Sequence, residues 1–199
     1  MQLKETHSLL DSMGQTMVNT VKWGIASSVM NTFTGSIQNA YNYVKVLDSS
    51  LNDIRIVTGQ SREEMDRFAD SANKAAQNLG RQTKDYTNAA LSFYQQGLSD
   101  DEVAARTETT LKAANITGAG VSDIADQLTA VWNGFQVSLT DTENVVSKLA
   151  AVADTSASDM SELATAMSKT ASVANNMGVD VDQLTAQVAT IIATTRQAP

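Results

Sequence analysis

Side chains able to do chemistry are sparse in this 199-residue chain, and those present are mostly carboxylates and hydroxyls. Two acidic clusters come closest to a paired-carboxylate site: Glu63, Glu64 and Asp66, and Asp100, Asp101 and Glu102. Paired carboxylates do acid–base work when their environments push their proton affinities apart. Each cluster instead follows a serine, Ser61 or Ser99, with a glutamate three residues on. That is the capping-box pattern of a helix start, where the helix dipole favours an acid by ~0.3–1 kcal/mol. Serine and threonine are plentiful, but a hydroxyl nucleophile needs a base, and the sole histidine, His7, stands near the N-terminus. With no cysteine, thiolate nucleophiles, disulfides and thiolate zinc sites are excluded. No Gly-rich loop of the P-loop spacing occurs. The sequence therefore offers no catalytic, cofactor-binding or metal-binding residue, and it predicts a protein that is not an enzyme and uses no cofactor.

The elements that hold these residues read as all-α. Proline occurs once, at Pro199, and Ala, Ser, Thr, Gln and Met are abundant. Aromatics are only 5%, so any core is built mostly from Ala, Val, Leu, Ile and Met. Charge is uneven: residues 1–99 carry nine Lys/Arg and nine Asp/Glu, whereas residues 100–199 carry five against thirteen, the whole of the net −8. Most of those acids stand at helix starts. No basic stripe is present, so direct nucleic-acid binding is not expected. The start lacks a basic region followed by an apolar run, and no run of about 18 apolar residues occurs.

Residues 1–58 form one expected segment, a long amphipathic helix over 3–57 or two helices broken near Gly24 or Gly35. Ile37, Ala40, Val44, Leu47, Leu51 and Ile54 alternate spacings of three and four, which makes 37–54 coiled-coil-like. Upstream, Met17, Val21, Ile25, Val29 and Phe33 step by four, a stripe that drifts ~40° per step around the helix. From Ser12 to Val44 the only charge is Lys22. Burial in an oligomer accounts for such a stretch. Contact with a membrane is the alternative, against which its many amides and hydroxyls count.

Residues 59–199 form the second expected segment, a bundle of about seven short antiparallel helices. Starts are placed at Ser61, Thr83, Ser99, Ser122, Thr140, Ser158 and Asp180, with capping boxes at Ser61/Glu64, Ser99/Glu102 and Thr140/Glu143. Gly80, Gly97, Gly118 and Gly178 are read as stops, with Gly134 near another. Expected core positions include Met65, Phe68, Phe93, Tyr94, Val103, Leu111, Leu128, Trp132 and Phe135, then Met160, Leu163, Met167, Thr170, Ala174 and Met177, and finally Leu184, Val188, Ile191 and Ile192. DQLTA occurs at 126–130 and 182–186, read as two similar helix starts rather than a repeat.

Several motifs in order carry a resemblance. They are Leu79-Gly80-Arg81-Gln82-Thr83-Lys84; Gln96-Gly97-Leu98-Ser99; Leu111-Lys112-Ala113-Ala114 with Thr117-Gly118; LTAVWNGFQV at 128–137; KLAAVA at 148–153; and Met177-Gly178-Val179. Together, over roughly residues 48–199, they resemble the core region of phage tail tape measure proteins, the tail length determination or minor tail family. The resemblance implies a structural protein that sets tail tube length during assembly and assists genome ejection through the host envelope. It implies a place inside the tail tube of the virion, and in the host cytoplasm during assembly. It implies homo-oligomers, trimers or hexamers, with tail tube and tail tip proteins and tail assembly chaperones as partners, and transient contact with a host membrane. In that family the chain continues past the last helix, so the sequence is expected to be part of a longer protein, its core domain truncated at the C-terminus. A secreted helical translocator or pore-forming protein is the alternative from another class, supported by the charge-poor 12–44 stretch.

Overall fold

The computed structural model describes residues 37–156 and 158–196, and these contain eight α-helices, one short 3-10 helix and no strand. The helices are α1 (Ile37–Thr58), α2 (Arg62–Asn78), α3 (Thr83–Gln95), α4 (Asp100–Thr117), α5 (Val121–Gly134), α6 (Thr142–Thr155), α7 (Met160–Asn176) and α8 (Val181–Arg196), with the 3-10 turn Leu139–Asp141 before α6. The fold is all-α, as the composition implies. The expected breaks at Gly24 and Gly35, the stripe from Met17 to Phe33, Trp23 and His7 lie outside the described residues. The chain divides into two compact units, Met1–Gly97 and Leu98–Pro199.

In the first unit α1 packs on α3, and α2 on α3. Val44, Leu47, Leu51 and Ile54 of the three–four seam are buried, joined by Tyr43 and Ser50. The described part of that seam is thus closed within the chain. From α2 come Met65, Ala69, Ala72 and Ala76; from α3 come Tyr86, Ala89, Ala90, Phe93 and Tyr94. Five buried alanines across α2 and α3 let those backbones approach closely. The half-buried Phe68 sits between Tyr86 and Tyr94, with ring centroids at 6.3 and 5.9 Å.

The second unit is a stack. Gln127 Nε2 on α5 donates to Thr165 Oγ1 on α7 at 3.0 Å, and about two turns further on Gly134 lies against Ala171. Residue numbers rise together on both helices, so α5 and α7 run parallel. Lys112 of α4 pairs with Glu143 of α6, and the C-terminal ends of these helices adjoin, so they too run parallel. Lys148 of α6 then pairs with Asp182 of α8. Helices α4, α6 and α8 form one layer and α5 and α7 the other, joined as successive hairpins. The two DQLTA segments fall on α5 and α8, in different layers.

The caps are partly as expected. Ser61 with Glu64 and Ser99 with Glu102 form capping boxes, and Asp180 accepts from the Gln183 N–H at 2.8 Å. Four starts differ. Gln82 is the cap of α3, and Thr83 is the first helical residue, its hydroxyl donating to Asn73 Oδ1 at 2.9 Å. Gly120 precedes α5, so Ser122 lies inside it. Thr140 falls in the 3-10 turn and forms no box, because Glu143 reaches across to Lys112. Asp159, one residue after Ser158, caps α7 and boxes with Glu162. Some inward assignments also fail: Thr170 is exposed and Met177 is 77% exposed, with Ala164 and Ala171 buried instead, and Ile191 is 61% exposed. Phe135 and Ile192 are half-buried.

Candidate functional site

The acidic clusters do not converge. Within each, one carboxylate closes a helix start; Glu63, Asp100 and Asp101 are exposed and Asp66 is half-buried. Glu64 accepts the Ser61 N–H at 2.7 Å, and Glu102 accepts the Ser99 N–H at 2.9 Å and its hydroxyl at 2.7 Å. These hydrogen bonds favour the charged form and hold both carboxyls below their ordinary value of 4.5, Arg67 and Arg106 respectively adding a smaller pull the same way. Among the described residues, no group of three or more His, Cys, Asp or Glu is placed to hold a metal ion. None of the described helices is long and apolar enough to cross a membrane.

The unusual cation is Arg106. It is 7% exposed, and its guanidinium lies over the Trp132 ring at 5.2 Å from the centroid, with Nη1 at 3.5 Å from Asn133 Oδ1. Burial lowers the affinity of the guanidinium for its proton, and Glu102 one turn earlier partly offsets this. The group sits where α5 ends, so its charge meets the negative end of that helix dipole. Trp132 is fully buried beneath it, the core role expected from sequence. Sequence reading missed Arg106, although a signal existed: it stands between Val103 and Thr107 and one turn before Thr110, all on the buried side of α4.

Gly134 was also incompletely legible. A Cβ there would lie 2.6 Å from Ala171 Cβ and 2.8 Å from the Ser172 backbone nitrogen. The glycine permits a close crossing of α5 over α7. The stop is made by Gln136, which takes φ +55°. Its N–H bonds to Asn133 O at 3.2 Å, and Val137 N–H bonds to Trp132 O at 2.8 Å, the paired bonds of a Schellman end. Gly80 and Gly178 serve the same role with positive φ after α2 and α7.

Among the described residues lies a groove of about 470 Å³, lined by Ile116 and Gly118 at the end of α4, Ala150 and Asp154 of α6, and Asp159 and Met160 at the start of α7. Its two carboxylates belong to a helix end and a cap, and no base or nucleophile pair accompanies them. What the described residues present is therefore packing surface: matched helix faces, ion pairs between neighbouring helices of one layer and scattered exposed apolar side chains.

A family model described as phage-related minor tail protein matches residues 70–199. No curated protein and no solved structure matches the chain. The match spans the whole second unit and part of the first, in a chain whose described residues are helical packing surface throughout, and the chain belongs to the phage-related minor tail protein family.

Proposed function

We propose that this chain is the core region of a tape measure protein, which acts by helical shape and self-association rather than by side-chain chemistry. The observation that carries the reading is the family match over residues 70–199 of a phage tail protein, together with the ordered motifs from Leu79 to Val179. On this reading the protein sits inside the tail tube, associates with copies of itself and with tube and tip proteins, and leaves ahead of the genome. Its mechanism is geometric: a helix advances ~1.5 Å per residue, so tube length follows the number of helical residues. Compact hairpins would have to open for this, because a stacked hairpin advances by only one helix spacing, about 8–10 Å.

That contrast gives the test. An in-frame deletion of residues 142–180 in the phage gene removes one hairpin, α6 with α7, which is 39 residues. Tails measured by electron microscopy should shorten by about 58 Å if the hairpin is extended in the tube, at ~1.5 Å per residue. They should shorten by about 10 Å if it stays stacked. Assembled tails of unchanged length would refute a ruler role for this segment.

A further inference from the structure

We draw no further inference here: the strongest candidate, the groove where the ends of α4 and α6 meet the start of α7, offers only the carboxylates of Asp154 and Asp159 beside helix ends, and nothing in the structure shows what fills it.

Discussion

Replacing Gly134 by alanine tests the close crossing on which the second unit is built. In an isolated helix the change would stabilise by about 0.5–1 kcal/mol, because glycine loses more backbone entropy on folding. Here the new methyl would stand 2.6 Å from Ala171 Cβ and 2.8 Å from the Ser172 nitrogen, both carried rigidly on α7. Carbon atoms pack best at about 3.5–4.0 Å, so the two helices must separate by roughly an ångström along a well-packed face. Overpacking of this kind costs about 1–3 kcal/mol, which exceeds the propensity gain and leaves a net loss of about 1–2 kcal/mol. For a unit near 100 residues each kcal/mol shifts Tm by about 4–8 °C. Thermal unfolding followed by circular dichroism should therefore drop by several degrees for Gly134→Ala and further for Gly134→Val. Ala171→Gly in the same background should recover little, since the Ser172 nitrogen remains in the way. A Tm raised by Gly134→Ala would mean that helix propensity outweighs contact, and the parallel packing of α5 on α7 would be wrong.

Three other outcomes are expected. Gln136 holds φ +55°, a conformation that costs an L-residue about 1–2 kcal/mol, so Gln136→Gly should raise Tm by a few degrees, and Gln136→Val should lower it. Arg106→Ala should lose the cover over Trp132 and destabilise by about 2–3 kcal/mol, whereas Arg106→Met, which keeps the length of the side chain without burying a charge, should be close to neutral in denaturant titration. Glu64 and Glu102 have folded-state pKa values below the ordinary 4.5, so their stabilising contribution is present above that value and is lost as pH falls through the depressed values. Acid unfolding below about pH 4.5 should be less steep in Glu64→Gln/Glu102→Gln than in the parent chain, and stability above pH 6 should be lower.

The sequence was most readable where one residue decides the backbone. A glycine that must take positive φ, as at Gly80, Gly118 and Gly178, or a serine with a glutamate three residues on, as at Ser61 and Ser99, writes its structure locally. It was less readable where a distant partner competes for the same group. Glu143 has the spacing for a box with Thr140, yet it pairs with Lys112, 31 residues away. Thr83 has a capping hydroxyl, yet Asn73 takes it. Gly134 does stand at the end of α5, but its contact with Ala171 is announced by nothing in the preceding residues.

The same limit bears on every apolar stripe in the chain, and on what a structural protein of this kind can encode. Periodicity says that a helix has a side to bury; it is silent on whether that side meets its own chain or another. Val44, Leu47, Leu51 and Ile54 keep the spacing of a seam between chains and are fully enclosed within the first unit, on α3. Val173 and Met177 keep a similar spacing at the end of the second unit and stay open. Two stripes of like pattern thus have opposite fates, and what separates them is position in the stack. The first stripe is met by α3, and no described helix covers Val173 and Met177. In a protein made of successive hairpins, every layer presents such a stripe to the next, so continuation of the stack needs only a further helix of like pattern. Packing faces of this kind, and not a site of the sort that the carboxylate clusters first suggested, are what the described helices offer.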